Sequence, residues 1–192
     1  MQEFSWAGCR VIRRGPTAVF LLLMLASCSE PERAAQEIVG PCGSDGGLRA
    51  ELFGEIEAAI RWRADELKCE GMPRPNAAGA RLRFSGPVTN AGEHAQLAFI
   101  FGIPGLERGK AARELPTNVT VIDEGRGRFF STRDTDSCWS DIEGQEETAK
   151  ASTYIISGIL YCVAPLAELN GNGSVTLTEV HFTGLLDWKP PQ

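Results

Sequence analysis

The sequence predicts an all-β fold, a single antiparallel β-sandwich or barrel of about eight strands held by two disulfides. Three observations predict it: apolar residues alternate with polar ones in several segments, turns rich in Gly, Pro and Asn separate these segments, and no segment carries a strong helical pattern. Short strands that follow one another in this way are typical of antiparallel sandwiches and barrels.

Residues 51–65 pose the main choice between helix and strand. Their Ala, Glu, Leu and Arg content favours a helix. The even positions from 52 to 64, however, carry no charge, and the acidic and basic residues fall on odd positions. This period of two is typical of a half-buried strand. We therefore predict one strand here, followed by a second from Leu67 and Cys69 that stops at residues 71–75.

The other strands follow from the same alternation. Residues 117–122 and 128–132 flank a Gly-rich turn and predict a hairpin. In the last strand the apolar phase slips by one residue, which predicts either a β-bulge or a strand that passes from one sheet to another. Residues 102–116 predict a long connection with one or two helical turns, serving as a lid or as a crossover. The remaining predicted strands are 80–85, 97–101, 153–163 and 174–188.

Large aromatic residues on the apolar faces of these strands form the predicted core. Arg81 and Arg83, which alternate with apolar neighbours, are predicted to face water. Segment 97–101 is apolar at every position and predicts a central strand covered on both faces. The predicted core aromatic residues are Trp62, Phe84, Phe99, Phe182 and Trp188.

Residues 1–27 have the organisation of an export signal. Arg10, Arg13 and Arg14 precede an uncharged apolar run over residues 18–26. A nine-residue helix is about 14 Å long, whereas the hydrocarbon core of a bilayer is about 30 Å thick. This run is therefore too short to remain as a transmembrane helix.

The run ends in Leu25-Ala26-Ser27-Cys28, which resembles a bacterial lipobox. The resemblance implies that the Cys28 thiol receives a diacylglycerol, that the chain is cut between Ser27 and Cys28, and that the new amine is acylated. Two or three acyl chains hold a protein on a bilayer far more firmly than one. Ser29 after the cysteine implies, by similarity to lipoprotein sorting, the periplasmic face of the outer membrane. The alternative is an ordinary signal peptide that ends near a chance cysteine.

The chain after the leader is acidic. It keeps 16 basic and 24 acidic residues, a net charge of about −8. Such a chain without a basic cluster is a poor ligand for nucleic acid or for an anionic membrane surface. Residues 28–47 are polar and contain Gly and Pro, which indicates a flexible tether. The predicted organisation is a signal peptide (1–27), a tether (28–47) and one β-domain (48–190).

Four cysteines remain once Cys9 leaves with the leader and Cys28 is acylated. An even number in an exported protein predicts two disulfides. Four cysteines allow three pairings, and we favour the two that join neighbours in the sequence, because they close the smaller loops. No C-x-x-C pair is present and only His94 and His181 could assist, so no metal and no cofactor is predicted. The favoured pairs are Cys42–Cys69 and Cys138–Cys162.

Two ligand sites are conceivable around residues 126–143. Trp139 beside Arg126 and Arg128 would form a patch suited to stacking on a sugar or binding an acidic group, provided that the hairpin turn and the following loop lie close together. Alternatively, the carboxylates of residues 134–143 would surround Ca²⁺. We interpret this segment as a solvated loop attached through Cys138. Its carboxylates are Asp134, Asp136, Asp141 and Glu143.

The enzyme signatures G-x-S-x-G and H-E-x-x-H and the phosphate loop are all absent from the sequence. Neither histidine has an activating neighbour in sequence, although distant residues can assemble a catalytic triad. We therefore expect a non-enzymatic envelope lipoprotein whose β-domain binds a protein or glycan partner in the periplasm. The alternative is a periplasmic enzyme that acts on cell-wall or exported substrates. A cleft that gathers a histidine with carboxylates would favour the enzyme, and a flat aromatic patch would favour the binding protein.

Overall fold

Thirteen antiparallel strands form one continuous hydrogen-bonded sheet in the computed structural model, which describes residues 42–75, 78–90, 93–134 and 136–189. These residues include no helix, and so none of sufficient length and hydropathy to cross a bilayer. The predicted signal peptide, Cys28 and most of the tether lie outside the described residues. The strands are β1 Gly47–Gly54, β2 Ala58–Arg63, β3 Lys68–Pro73, β4 Gly79–Asn90, β5 Glu93–Pro104, β6 Ala112–Pro116, β7 Asn118–Asp123, β8 Arg128–Ser131, β9 Cys138–Glu147, β10 Thr153–Cys162, β11 Leu166–Glu168, β12 Ser174–Leu177 and β13 Val180–Asp187.

The sheet folds over into a sandwich-like arrangement of two layers. The first layer has the order β3-β4-β5-β7-β8-β11-β12, and the second has the order β2-β1-β13-β10-β9-β6. Strands β12 and β13 are consecutive in the chain and both pair with β1. Because β12 also pairs with β11 and β13 with β10, the chain passes from the first layer to the second between them.

A β-bulge marks this passage. Leu52 faces Leu177 and Arg49 faces His181, so two residues of β1 stand opposite three residues, 178–180. The Glu51 N–H donates to Thr178 Oγ1 over 3.0 Å, and the Thr178 N–H donates to the Glu51 carbonyl over 3.0 Å. The predicted one-residue slip in the apolar phase is therefore confirmed. The β-bulge and the passage of the strand from one layer to the other, which were predicted as alternatives, occur at the same place.

Aromatic side chains from both layers interlock in the core. The ring of Phe182 lies 5.7 Å from that of Phe84 and 5.4 Å from that of Phe101, between ring centroids. Trp62 meets Phe99 edge to face at 5.7 Å and donates through Nε1 to the Pro87 carbonyl over 2.6 Å. Buried Trp satisfies its N–H in this way because an unpaired donor is costly. The core prediction is confirmed for Trp62, Phe84, Phe99 and Phe182, and Trp188 packs partly buried against them.

Glycines bring the two layers into close contact beside this core. A Cβ atom on Gly71 of β3 would lie 2.3 Å from the carbonyl oxygen of Leu185 on β13. A Cβ atom on Gly184 would lie 2.7 Å from the ring of Phe84. A larger residue would therefore require the backbone at Leu185 to move in the first case and the buried Phe84 ring to move in the second.

The predicted number of strands was wrong, because some strands were merged and others missed. Residues 51–65 form the β1–β2 hairpin, and the alternation continues through its turn, since Leu52, Ile56 and Ile60 are all buried. The last predicted strand is likewise two strands. The short strands β6 and β11 and the polar strand β9 lack an apolar alternation long enough to recognise. No helical turn forms in residues 102–116, where β5 runs on to Pro104 and β6 begins at Ala112.

The prediction for the first-layer arginines also needs correction. Arg83 is half-buried, with 22% of its side chain exposed, because it donates to Ser85 Oγ over 3.0 Å and forms an ion pair with Glu124. Arg81 is half-buried as well. The covered strand 97–101 is confirmed, with Ala98 and Phe99 fully buried.

Both predicted disulfides are present. Cys42 is bonded to Cys69, with their Cα atoms 5.0 Å apart. Cys138 is bonded to Cys162, with their Cα atoms 4.0 Å apart, and the two stand directly opposite each other on β9 and β10. The second disulfide therefore cross-links neighbouring strands and fixes their register.

Candidate functional site

Two aromatic rings stack on the outer face of the second layer. Trp139 of β9 and Tyr161 of β10 are directly opposite each other, and their rings stack with centroids 6.0 Å apart and planes at 24°. Pro116 of β6 stands opposite Trp139 on the other side and is exposed. Because outward residues alternate with the buried Cys138, Ser140 and Leu160, the three rings share one face. We call the aromatic rings of Trp139 and Tyr161, together with the adjoining saturated ring of Pro116, the aromatic platform.

Carboxylates border the aromatic platform. Asp141 follows Trp139 on the same face of β9, and 24% of its side chain is exposed. Its Oδ1 accepts a hydrogen bond from the Glu114 N–H over 2.7 Å, and its Oδ2 lies 3.4 Å from Arg113 Nη1. Desolvation, followed by the negative charges of Asp141 and Glu114, raises the pKa of Tyr161. Two carboxylates, one of them paired with Arg113, therefore lie close enough to Tyr161 to act on its charge.

Asp141 also holds a strained backbone in place. Glu114 has a φ of 52°, in the left-handed region that residues other than glycine rarely occupy. It lies where the register of β6 against β9 shifts, and its N–H donates to Asp141. Strained residues that persist in this way are concentrated at functional sites, because the surrounding structure has to compensate for their cost.

Basic residues stand in a row further across the same face. Arg49 of β1 is directly opposite Arg61 of β2 and, on its other side, directly opposite His181 of β13. We call Arg49, Arg61 and His181 the basic row. The registers continue this row through Ile159 of β10 to Asp141 of β9. One straight line across five strands thus begins with arginines and ends beside the aromatic platform.

The flanking members of the basic row each have a carboxylate partner. His181 Nε2 lies 2.8 Å from Glu179 Oε1, and Arg61 lies 3.9 Å from Glu51. Arg49 is exposed, and among the described residues it has no ion-pair partner. Like charges directly opposite each other on neighbouring strands are destabilising. A bound anion at Arg49 would therefore reduce the repulsion between the opposed Arg49 and Arg61.

Three shallow depressions connect the platform side of this face with the basic row. The first, of 310 Å³, is lined by Asp141 and Ile159, and it shares Glu143 with the second, of 390 Å³. The second shares Arg49 and His181 with the third, of 170 Å³. We call these three neighbouring depressions, which are open rather than enclosed, the trough; Pro116, Trp139 and Tyr161 line none of the three.

The two arginines of the predicted ligand patch lie elsewhere. Arg128 donates through Nε to Glu168 over 2.6 Å and through Nη2 to Glu55 over 2.8 Å, and it lies over the Phe130 ring at 5.0 Å. The Arg128 hydrogen bond is the main reason that the pKa of Glu168 is lowered, and the two carboxylates raise the pKa of Arg128. Arg126 lies in the preceding turn, where its N–H donates to Asp123 over 3.1 Å.

The structure does not bring these arginines to Trp139. Arg128 stands opposite Asp123, at one end of β7, whereas Pro116 and Trp139 adjoin the other end. A six-residue strand is about 20 Å long. The predicted condition, a hairpin turn close to the segment around Trp139, is therefore not met, and Trp139 has Tyr161 as its neighbour instead.

The acidic segment is largely a strand rather than a solvated loop. Residues from Cys138 onward belong to β9, so Asp141 and Glu143 are strand residues, while Asp134 and Asp136 precede it. No group of three or more His, Cys, Asp or Glu side chains with the arrangement of a metal site occurs in the part of the chain that the structure describes. His181 lies in the basic row, and the side chain of His94 is outside the described residues.

Sequence reasoning missed Tyr161, although a signal for it existed. Residues 139 and 161 each lie one position inside the predicted Cys138–Cys162 pair, and antiparallel strands joined there must place them opposite each other. Glu114 and Arg49 had no comparable signal. An irregularity in the pairing of β6 with β9 brings Glu114 to this face, and the pairing of β1 with β13, far away in the sequence, brings Arg49 there. Comparisons with protein-family models, curated proteins and solved structures found no match to this chain.

Proposed function

We propose that this chain is a lipid-anchored protein of the bacterial envelope, whose β-domain is a non-enzymatic module that binds a glycan in the periplasm. The observation that carries the proposal is the aromatic platform, in which Trp139 and Tyr161 stack on an open sheet face. The lipobox resemblance at Cys28 supports the anchoring, and two disulfides suit an oxidising compartment.

The chemistry of the platform matches that of a sugar ring. A pyranose ring has an apolar face of C–H groups and a rim of hydroxyls, and aromatic side chains provide a large, rigid apolar surface for such a face. The carboxylates of Asp141 and Glu114 beside the platform are strong acceptors for hydroxyl groups. The trough is open along its length, which suits a polymer better than a small molecule that needs enclosure.

The proposed tether sets the reach of the domain. Because Cys42 is buried and disulfide-bonded, the predicted tether 28–47 shortens to residues 28–41, and a flexible chain of these 14 residues has an end-to-end distance of about 20 Å. The domain would therefore remain close to the bilayer that holds Cys28 while its outer face contacts glycan in the periplasm.

A binding role fits this face better than the enzymatic alternative. The His181–Glu179 pair has the composition of a catalytic dyad, but 41% of the His181 side chain is exposed. The trough that it lines is open, whereas acid–base catalysis benefits from a site that excludes water.

Sedimentation with insoluble cell-wall glycan tests the binding. We expect the full chain in detergent to sediment with purified peptidoglycan, and Trp139→Ala to weaken the binding about tenfold, because burying a large aromatic ring contributes more than 1.4 kcal/mol. Phe129→Ala is the matched control, since Phe129 is an exposed aromatic residue on β8 of the other layer. Unchanged sedimentation of Trp139→Ala would contradict the proposal.

Membrane fractionation tests the anchoring. We expect the wild-type chain in the membrane fraction, with the mass of Cys28 increased by its acyl groups, and Cys28→Ala in the periplasmic fraction. A wild-type chain that begins at another residue and leaves the membrane without detergent would refute the anchor.

A further inference from the structure

Charged side chains of both signs lie along this face. Asp141 and Glu114 stand at the platform end, and Arg49 and Arg61 stand at the other end of the same row. His181 and Ile159 lie between Arg49 and Asp141. A ligand that spans the face therefore meets carboxylates beside the platform, where Arg113 pairs with Asp141, and arginines at the other end. Among the described residues, Arg49 is the arginine of this line without an ion-pair partner.

Arg49 is the member of the basic row that is best placed to receive an anion. It is exposed, it lines both the 390 Å³ and the 170 Å³ depressions, and among the described residues it has no ion-pair partner. The carboxylates facing the row, Glu51 and Glu179, approach its two neighbours instead. Because Arg61 stands directly opposite Arg49, a carboxylate placed there reduces the repulsion between the two arginines as well as adding a salt bridge.

The distance between the two ends restricts the ligand. Arg49 is three strand spacings of about 4.8 Å from Asp141, and Trp139 is two residues further along β9, so Arg49 lies about 16 Å from Trp139. This distance exceeds the width of one sugar ring. The ring on the platform and the group at Arg49 therefore belong to different units of one polymer.

We infer that the ligand is an acidic glycan, in which a neutral part of one sugar stacks on the aromatic platform and a carboxylate on a later sugar binds the basic row at Arg49. This inference rests on the proposed glycan binding and adds the charge of the ligand and the position of that charge. The exposed Glu114 carboxylate beside the platform repels a register that places the ligand's carboxylate at Tyr161.

Three glycans with one backbone test the inference. The first is the peptide-free strand of alternating N-acetylglucosamine and N-acetylmuramic acid, whose lactyl groups carry carboxylates. The second is the same strand with those carboxylates amidated, and the third is an N-acetylglucosamine oligomer of equal length. Titration of the full chain in detergent, followed by tryptophan fluorescence or calorimetry, gives the affinities.

We expect the carboxylate strand to bind about tenfold more tightly than the two neutral glycans at low salt, since a charged hydrogen bond contributes enough for one order of magnitude. The preference should fall to less than threefold in about 0.5 M salt, where exposed charges are screened. Arg49→Gln should remove the preference, so that its affinities for the three glycans become equal. Lys68→Gln, the same change in charge at an exposed position on β3 of the other layer, should leave it intact.

The outcomes separate this inference from the proposed function. Equal affinities for all three glycans, or an unchanged preference in Arg49→Gln, would overturn the acidic-glycan inference while leaving glycan binding supported. Binding about tenfold weaker in Trp139→Ala, with the preference lost in Arg49→Gln, would support both. Failure of the wild-type chain to bind any of the three would overturn both, and equal melting temperatures of the variants exclude misfolding as the cause.

Discussion

Trp139 and Tyr161 flank the Cys138–Cys162 disulfide and face each other across β9 and β10. The disulfide therefore fixes the register in which the two rings stack. It also restricts the two strands before binding, so that less conformational entropy is lost when a ligand binds the platform. Rigid aromatic groups bind with a smaller loss of conformational entropy than mobile ones. The disulfide thus has a role in the site besides its role in stability.

The double variant Cys138→Ser/Cys162→Ser tests that role. We expect a loss of about 3 kcal/mol in the free energy of unfolding, because the bond closes a loop of 24 residues, together with weaker glycan binding. Cys42→Ser/Cys69→Ser is the control: its loop of 27 residues predicts a similar loss of stability, but it is remote from the platform. Urea unfolding and the sedimentation assay measure the two effects. Equal glycan binding by both double variants would show that the Cys138–Cys162 disulfide contributes to stability alone.

The close contact between the layers gives a second prediction. Gly71→Ala should destabilise the domain by about 3 kcal/mol, because the added methyl group would meet the backbone carbonyl of Leu185, which cannot rotate away. Gly144→Ala on β9 is the control, since its Cβ would have no heavy atom within 4 Å and should change stability by less than about 1 kcal/mol. Equal urea midpoints for the two variants would show that the layers adjust.

The parts of this fold that sequence predicts are those with local signals. Alternation identified the all-β class, the buried faces and the β7–β8 hairpin, and cysteine spacing identified both disulfides. Strand ends were missed where the alternation continues through a turn, as at Ile56. The bulge at Thr178 was recognisable because it shifts the phase of a long apolar pattern.

The site was less predictable, because it depends on contacts between strands far apart in sequence. Trp139 was identified as an aromatic residue with an exposed role, but its partners were expected among the nearby arginines. Arg128 is instead bound by Glu168 and Glu55, which no local pattern links to it. Register, rather than proximity in sequence, determines which side chains share a sheet face.

The Arg128–Glu168 pair predicts a pH dependence. Its hydrogen bond lowers the pKa of Glu168, so the stability that it supplies is fully present above the ordinary glutamate pKa of about 4.3 and is lost as the pH falls through the lowered value. Glu168→Gln should therefore be less stable at pH 7 and should lose less stability between pH 5 and about pH 2 than the wild type. Glu57→Gln, an exposed carboxyl in the β1–β2 turn, is the control. Parallel acid-unfolding curves for wild type and Glu168→Gln would contradict the assignment.

The left-handed conformation of Glu114 predicts an inverted order of substitution. In a strand, alanine is normally more stable than glycine by about 0.5–1 kcal/mol. At a φ of 52° the order should reverse, with Glu114→Gly more stable than Glu114→Ala by about 1 kcal/mol, because only glycine adopts this conformation without strain. Urea unfolding of the two variants measures the difference.

The same two variants report on the platform. Desolvation is the largest cause of the raised pKa of Tyr161, and the charges of Asp141 and Glu114 follow. Both variants remove the Glu114 charge, so an absorbance titration of the chain's two tyrosines should show that pKa lowered by the same small amount in both. If the alanine variant proves the more stable, the strain at residue 114 is absent. If only one variant lowers the pKa of Tyr161, the effect belongs to the backbone rather than to the charge. A lower pKa in both, with glycine favoured, would show that Asp141 holds a strained loop against the aromatic platform and that the Glu114 carboxylate acts on it directly.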